Sequence, residues 1–457
     1  MQRTARSPEV HDRIGGLVEH TIRLVGHRPA EGWDTSTAAL RLVSFLRASE
    51  ALRPVGLSLP DLEGRLRNFI AAHQRPLAWG AVAEPAGNHE LVNVAGRAAL
   101  HFLLDDGSPL PHRMSSDFVG RFERQFLPDG GHVERSPHYQ AQVLSLATVI
   151  CEVDSRRGGA LAACLGPALT KARGALAGML AGGAPFRLGD ISRTFSGKTP
   201  VEDVTEGLGG VDFPRERSVS MPHFGIAVVR WRTGDLDFSL VVDAGEMGYS
   251  LNPGHGHADS LSFSLLVNGH ELITDPGTYL YADTEAATWF KLAEAHATIR
   301  WPHRPSCVLS RFFRWSRIMP PPNLVRTPAG PLGTALHAVQ RWRRGEHWFE
   351  HARSWIPLPR GLAIRDRVAS QESRPALSRM PLHPQATLAT DGKRGRIGFP
   401  GGSAAVRSWG SSVGPYRERY GGYAAGYGER EDAVALEWPI ETSRGGASCW
   451  TFVRVQA

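Results

Sequence analysis

Up to about residue 215, apolar residues recur at the three- and four-residue spacing of amphipathic helices. In residues 36–53, for example, Ala39, Leu42, Val43 and Leu46 fall on one stripe. Short turns that contain glycine and proline separate such segments, which indicates successive antiparallel helical hairpins. The same spacing predicts further helices at about 59–76, 87–104, 115–127, 138–156 and 160–182.

After residue 215, apolar and polar residues alternate, as they do in strands with one buried face. The first such runs read FGIAVVRWR, DFSLVVDAG and DSLSFSLLVNG, and turn signals recur roughly every 8–12 residues. Helices segregated from strands predict an α+β chain, with a helical domain at 1–215 and an antiparallel sandwich at 216–457. Residues 183–220, rich in glycine and arginine, are predicted to be the linker, and residues 384–432 to be long surface loops.

At 457 residues the chain is long enough for two or three domains, and it carries a net charge of +7 with a pI near 9.5. Such a charge favours an anionic partner: nucleic acid, an acidic glycan or a membrane surface. Only four of the 52 basic residues are lysine, so the arginine excess can equally reflect genomic base composition. No nucleic-acid-binding motif accompanies the charge, and the sequence contains no apolar run of 18 residues that would span a membrane.

The four cysteines are scattered and form no CxxC pair, which argues against a disulfide framework and against a thiolate zinc site. The first residues, MQRTARSPEVHDR, contain no apolar stretch of the kind found in secretory signals. The sequence as given therefore predicts a cytoplasmic protein. A periplasmic or secreted location is the alternative if an N-terminal segment is missing.

Two clusters of polar residues lie in the helical part. Asn88 and His89 open a predicted helix, where an asparagine can also serve as a simple cap. Further along, an Asp-Gly-Gly turn leads to Pro137, a residue suited to the first turn of a helix, and Tyr139 follows in that turn. Considered alone, a tyrosine at such a position is more often a packing residue than a catalytic one.

A third cluster, in the strand-rich part, has the composition of a metal site. His255 and His257 form an HxH pair, which in an extended segment points both imidazoles to one face. An Asn-Gly hairpin turn would bring Asp275 back beside His257, and His296 would supply a third ligand. Two histidines and one carboxylate suit zinc, with water in the fourth position. Ordinary surface histidines are the alternative reading of the same spacing.

Together, and in this order, the three clusters resemble the heparinase II/III-like polysaccharide lyases. The stretch GHGHADSLSFSLLVNGHELITDPGTYLY is similar to that family's signature, and GNHELVN and DGGHVERSPHY are similar to its two helical-domain motifs. GWDTSTAALRLVSFLRA resembles the segment before them, so the resemblance covers roughly residues 30–300. It implies an incomplete α/α toroid followed by an antiparallel β-sandwich, with the active site in the cleft between them.

The resemblance also implies roles for individual residues in the β-elimination of a uronate-containing acidic polysaccharide. Asn88 and His89 would contact and neutralise the substrate carboxylate. Tyr139 would be the acid, and in some members also the base, while His255 would be the other base. The sequence departs from the family wording at several positions. Gln140 follows the tyrosine, where a histidine is frequent, the stretch at His296 reads HAT rather than HNT, and Asn93 stands nearest to where some members have an acidic residue after His89.

The same resemblance assigns His257, Asp275 and His296 to one mainly structural zinc ion. The glycan is left open, since heparan-like, alginate-like, hyaluronan-like and bacterial exopolysaccharides all contain acidic residues. The sequence specifies no oligomeric state.

Three other functions are compatible with parts of the sequence. A glycoside hydrolase would need paired carboxylates, for which Glu90, Asp129 and Glu134 are the candidates. A non-catalytic glycan-binding or exopolysaccharide-assembly protein would use the same cleft without Tyr139 and His255 as reacting groups. Nucleic-acid binding has only the basic charge in its favour.

Overall fold

The structure is a computed structural model that separates into two compact units. The helical unit comprises Met1–Phe126 and Gln142–Lys171, and the strand unit comprises Leu127–Ala141 and Ala172–Ala457. The boundary predicted at residue 215 lies outside the described residues. The structure describes residues 8–26, 33–55, 60–83, 87–105, 107–181, 184–191, 218–372, 374–391, 394–410, 417–442 and 446–456.

The predicted helices are present, and the segment predicted at 59–76 falls within two helices, with a break at His73. In the described ranges, no helix is long and apolar enough to cross a membrane. The helices are α1 (Pro8–Gly26), α2 (Thr35–Leu52), α3 (Pro60–Ala72), α4 (Gln74–Ala83), α5 (Asn88–Leu104), α6 (His112–Arg124), α7 (Pro137–Arg156), α8 (Leu161–Gly178) and α9 (Glu285–Trp289).

Helix α2 shows how the sequence pattern builds the helical unit. Its N-cap, Asp34, accepts a hydrogen bond from the Thr37 amide at 2.9 Å. The predicted apolar stripe is buried. Helix α5 approaches so closely that a Cβ added at Gly96 would lie 2.5 Å from the Cβ of Ala39, so small residues are required at this crossing.

The strand unit is antiparallel throughout its described strands. The strands are β1 (Leu180–Ala181), β2 (Ala184–Pro185), β3 (Val219–Met221), β4 (Ile226–Thr233), β5 (Leu236–Asp243), β6 (Phe263–Val267), β7 (His270–Ile273), β8 (Ile299–Arg300), β9 (Val308–Arg311), β10 (Arg314–Arg317), β11 (Asn323–Pro328), β12 (Thr334–Arg344), β13 (His347–Leu358), β14 (Gly361–Ser370), β15 (Ala376–Pro381), β16 (Thr387–Asp391), β17 (Arg394–Phe399), β18 (Gly402–Trp409), β19 (Arg417–Gly426), β20 (Glu429–Ile440) and β21 (Ala447–Gln456).

Three larger sheets share one apolar core. An eight-stranded sheet runs β11-β12-β13-β14-β21-β18-β17-β16, a five-stranded sheet runs β3-β4-β5-β6-β7, and a four-stranded sheet runs β19-β20-β15-β8. Their inward side chains form a continuous buried cluster, in which Trp355 of β13 meets Phe263 of β6 edge to face. The smaller pairs β1-β2 and β9-β10 complete the described strands.

Two sequence interpretations were wrong. Residues 384–432 are largely strands rather than surface loops. Their glycine and arginine content is typical of loops, but Ile397, Phe399 and Val406 alternate inward and are buried, so the arginines mark a solvated sheet face. Part of the predicted linker, 184–191, belongs to the strand unit and buries Phe186 and Asp190, whereas 192–217 lie outside the described residues.

Candidate active site

A tight hairpin brings the third sequence cluster together. Strands β6 and β7 are joined by Asn268 and Gly269, both with positive φ (51° and 80°), the conformation that a two-residue hairpin turn requires. The chain therefore returns Asp275 to the region of His257, as the spacing predicted. His296 joins them from the segment after α9.

His257, Asp275 and His296 form a cluster with the geometry of a metal site. Their candidate ligand atoms all lie within 4.8 Å of one another, and all three residues are buried. Nδ1 of His257 and Nε2 of His296 are buried and have no hydrogen-bond partner among the described residues. Buried polar atoms rarely stay unsatisfied, so this pair fits a zinc ion, for which two imidazoles and one carboxylate are suitable donors.

The other ring nitrogen of each of the two histidines faces a carboxylate. Nε2 of His257 lies 2.9 Å from Oδ1 of Asp190, and Nδ1 of His296 lies 2.7 Å from Oδ2 of Asp275. For His257, a carboxylate on the nitrogen that faces away from the cluster fixes the ring orientation and the tautomer, as is usual at zinc sites, whereas the partner of His296 is itself a candidate ligand. The cluster is thus oriented by hydrogen bonds within the protein.

His255 is placed differently from the prediction. The segment Pro253–His255 is a short 3₁₀ turn rather than an extended strand, and Pro253 at its start suits that turn. The imidazole rings of His255 and His257 still share one partner, because Nδ1 of His255 lies 2.7 Å from Oδ2 of Asp190. One carboxylate therefore links the proposed base to a proposed zinc ligand.

Asp190 is a site residue that the sequence interpretation missed. Its side chain is fully buried, accepts a hydrogen bond from Thr278 Oγ1 at 3.1 Å, and lies 3.5 Å from Nζ of the equally buried Lys291. Burial alone would raise its pKa, but Lys291 and the two histidines hold the pKa of Asp190 well below its usual range. Asp190 is therefore a permanent anion at the centre of the cluster.

Tyr139 occupies the first turn of α7, as predicted, and packs against His255. Their ring centroids are 4.3 Å apart, and the phenol oxygen lies 2.6 Å from that of Tyr281. Burial, then the negative charges of Asp190 and Glu134, raise the pKa of Tyr139 well above its ordinary value. The phenol is consequently protonated at neutral pH and can donate a proton to an anion.

Tyr281 is a second residue that the sequence interpretation missed. It lies at the end of the quoted family stretch, and its backbone N–H donates to Tyr427 Oη at 3.2 Å. Its ring meets that of Phe313 edge to face at 5.1 Å, and Phe313 meets the ring of His255 at 5.6 Å. Aromatic side chains thus surround His255 and the neighbouring phenols of Tyr139 and Tyr281.

Asn88 and His89 belong to the helical unit. They begin α5 directly after Gly87, whose φ of 121° is open only to a residue without a side chain. Nδ2 of Asn88 donates to Gln142 Oε1 at 3.2 Å, and Nδ1 of His89 lies 2.6 Å from Ser36 Oγ. Both side chains are thereby oriented within their own unit.

Two polar residues of the Asp-Gly-Gly segment have structural partners. Oδ2 of Asp129, a candidate acid for hydrolysis, accepts backbone hydrogen bonds from His223 and Phe224 at 2.7 and 2.8 Å. Gln140, at the position where the family often has histidine, donates to the carbonyls of Gly130 and Ala172. These two side chains hold the turn that precedes Tyr139.

Comparison with known proteins finds one family model that matches the strand-rich part and solved structures that share the fold of the chain. Residues 214–449 match the family model described as heparinase II/III-like, C-terminal. No curated protein matches the sequence. The fold is similar to the crystal structure of heparinase III, at 13% identity and a TM-score of 0.73, over 99% of this chain and 75% of that one.

Two further solved structures share the fold. One is heparan sulfate lyase HepC from Pedobacter heparinus, at 14% identity and a TM-score of 0.63, over 93% of this chain and 68% of that one. The other is chondroitin AC lyase from Streptomyces coelicolor A3 in complex with chondroitin sulphate, at 12% identity and a TM-score of 0.51, over 95% and 70%. The predicted fold class, helices of an incomplete toroid followed by an antiparallel sandwich, is confirmed.

Proposed function

Because this chain belongs to the heparinase II/III-like family of polysaccharide lyases, we propose that it cleaves a uronate-containing acidic polysaccharide by β-elimination. The single observation that carries the mechanism is the contact between Tyr139 and His255 beside a buried carboxylate. Heparan and chondroitin sulfates, which appear in the names of the structural relatives, are the first substrates to test.

The reaction sets the requirements for the residues. Elimination at a 4-linked uronate removes the proton on C5, forms a C4–C5 double bond and expels the C4 oxygen with its bonding electrons. The C5 proton is too weakly acidic unless the adjacent carboxylate is neutralised, so the enzyme must supply hydrogen-bond donors, a base and an acid.

His255 is the proposed base. Because Asp190 engages Nδ1, a neutral His255 carries its proton there and keeps the lone pair of Nε2 for the C5 hydrogen. Tyr139 is the proposed acid, which protonates the leaving C4 oxygen. Its raised pKa favours this role over service as both base and acid, which would require a readily ionised phenol.

Asn88 and His89 are proposed to neutralise the substrate carboxylate. An amide N–H and an imidazole N–H are donors that would strengthen as negative charge develops on that carboxylate in the transition state. Their conformations are already fixed by Gln142 and Ser36, which lowers the cost of ordering them on binding.

His257, Asp275 and His296 are proposed to hold one zinc ion with a mainly structural role. When bound, the ion would supply a fixed positive charge that ties together the segments on which these residues lie. The chain's own contribution is the hydrogen bond from His257 to Asp190, which connects this cluster to His255.

We expect about one equivalent of zinc per chain in protein purified without chelators, measured by elemental analysis. His257→Ala should abolish most of this zinc and lower the melting temperature, because it removes one ligand and one partner of Asp190. His337→Ala, which alters a histidine bonded to Ser354 and Thr327 on the eight-stranded sheet, is the matched control and should retain the metal. If the purified protein contains no metal and His257→Ala leaves the melting temperature unchanged, the zinc assignment is wrong.

The products should absorb ultraviolet light, since elimination leaves a double bond conjugated to the carboxylate. We expect absorbance to rise in step with new reducing ends when heparan sulfate, chondroitin sulfate, hyaluronan and alginate are each supplied. Hydrolysis of the same bond creates a reducing end and no chromophore. Reducing ends without absorbance would therefore establish a glycoside hydrolase, and binding without either signal would establish a non-catalytic glycan-binding protein.

A further inference from the structure

The outward face of the eight-stranded sheet carries aromatic side chains on two neighbouring strands, β18 and β21. Trp409 at the end of β18 is 72% exposed, and Phe452 of β21 is 36% exposed. Trp450 lies opposite Trp409 in the strand register, and its ring is within 13° of parallel to that of Phe452 at 6.0 Å. Together the three rings form a broad apolar patch, of a kind that usually marks a binding surface.

Arginines surround these rings. Arg365 of β14 lies opposite Trp450, with its guanidinium 5.4 Å from the ring centre, and Arg407 lies opposite Phe452. Arg394 continues the row beyond Arg407 on β17. We call this surface, on strands β14, β21, β18 and β17, the aromatic–arginine face. Its exposed arginines are Arg365, Arg367, Arg394, Arg396, Arg407 and Arg454.

The positive charge of this face is not balanced by ion pairs among the residues that the structure describes. Within the described part of the chain, none of the six arginines forms an ion pair with a carboxylate. Asp391 lies opposite Arg394 in the register, at the edge of the face. Four strands spaced about 4.8 Å apart give a surface roughly 14 Å across, large enough for several sugar rings.

We propose that the aromatic–arginine face is a second binding site for an acidic polysaccharide, separate from the residues that carry out the chemistry. Pyranose rings pack their C–H faces on Trp409, Trp450 and Phe452, while carboxylate or sulfate groups pair with the flanking guanidinium groups. The choice of a glycan as occupant rests on the proposed function. The face holds the polysaccharide near the enzyme between cleavage events and raises its local concentration.

The charge argues against the same face as a contact between two copies of the chain. A two-fold contact would place the same patch on both partners, and the arginines of one copy would then face those of the other. Like charges in such an interface cost several kcal/mol. An acidic polysaccharide, by contrast, supplies the opposite charge along its whole length.

The test measures binding without cleavage, in the full chain carrying Tyr139→Phe. The face variant adds Trp409→Ala and Arg407→Gln. The control adds Val325→Ala and Arg326→Gln, which remove one exposed apolar side chain and one exposed arginine from β11 of the same sheet. Heparan sulfate, chondroitin sulfate and alginate chains are the probes, dextran is the neutral reference, and titration calorimetry gives Kd.

We expect the face variant to bind at least one acidic polysaccharide about tenfold or more weakly, with the control within roughly twofold of the parent. In the background with Tyr139 intact, kcat/KM on long chains should fall while turnover of a short unsaturated oligosaccharide stays unchanged. The proposal is overturned if the face variant has a normal melting temperature and an unchanged Kd. It is also overturned if the parent binds none of the three probes.

Other occupants give distinct results. A dimer seen by sedimentation in the parent and lost in the face variant would show self-association instead, and equally tight binding of single-stranded DNA would show a nucleic-acid surface. If the proposed function fails, wild-type protein makes no ultraviolet-absorbing product, yet the face variant still weakens binding. If the second site fails, product forms normally and both variants bind like the parent.

Discussion

Replacement of Tyr139 by phenylalanine is expected to lower kcat by roughly 10²–10⁴-fold, the usual scale of general acid–base catalysis. The substitution removes one oxygen and keeps the ring that packs against His255. If the phenol delivers the proton to the leaving C4 oxygen, its loss slows bond cleavage and leaves substrate binding nearly unchanged, because the substitution keeps the carboxylate contacts proposed for Asn88 and His89. Steady-state kinetics on the polysaccharide identified by the absorbance assay measures kcat and KM separately.

The control for this substitution is Tyr279→Phe, which removes the same oxygen from a tyrosine in the loop that carries Tyr281, one that packs on Phe290. It should retain near-normal kcat. Comparison with His255→Ala then reports which side of the sugar loses its proton: a loss as large as that of Tyr139→Phe identifies His255 as the base, and a milder loss identifies Tyr139 as both base and acid. A Tyr139→Phe enzyme with normal turnover would refute the mechanism for every substrate.

The fold was predictable where the hydrophobic pattern is regular. The buried stripe of α2 marks a helix, and the short apolar runs of β4, β5 and β6 mark strands from local sequence alone, although β4 and β6 are buried on both faces rather than one. The strands between 384 and 432 were missed because glycine and arginine are abundant there. Their identity depends on the neighbouring strand: Gly395 pairs with Val406, and a glycine in such a row is acceptable because the partner strand supplies the packing.

The cluster of His257, Asp275 and His296 was predictable because an Asn-Gly turn fixes where the chain returns, and that turn can be read from two residues. Asp190 could not be predicted as a site residue, since it lies 65 positions before His255 and has no motif around it. Lys291 carried a weak signal as one of only four lysines in the sequence. Its meaning depends on burial beside Asp190, which is a property of the tertiary structure. The phenol pair of Tyr139 and Tyr281 likewise joins residues 142 positions apart.

Asp190→Asn is expected to be the most damaging conservative substitution in the strand unit. It removes the charge that faces Lys291, whose side chain is fully buried, and an unpaired buried charge typically costs about 3–5 kcal/mol of stability. It should also lower kcat by roughly 10²–10⁴-fold. An amide that donates to Nδ1 of His255 forces the ring proton onto Nε2, where the base is needed, as happens when the triad aspartate of a serine protease becomes asparagine.

A second substitution separates these two effects. Lys291→Met removes the opposing cation with a side chain of similar length, so the double variant Asp190→Asn/Lys291→Met contains no unpaired buried charge at this position. Chemical denaturation should show that the double variant recovers much of the stability lost in Asp190→Asn, a positive coupling that a double-mutant cycle measures directly. Zinc content, determined in parallel, reports whether His257 has kept its orientation. If Asp190 serves only the stability of the fold, activity will recover together with stability. If it positions the proton of His255, the double variant will be stable, will bind substrate with nearly normal KM and will remain slow, because no residue then holds that proton on Nδ1.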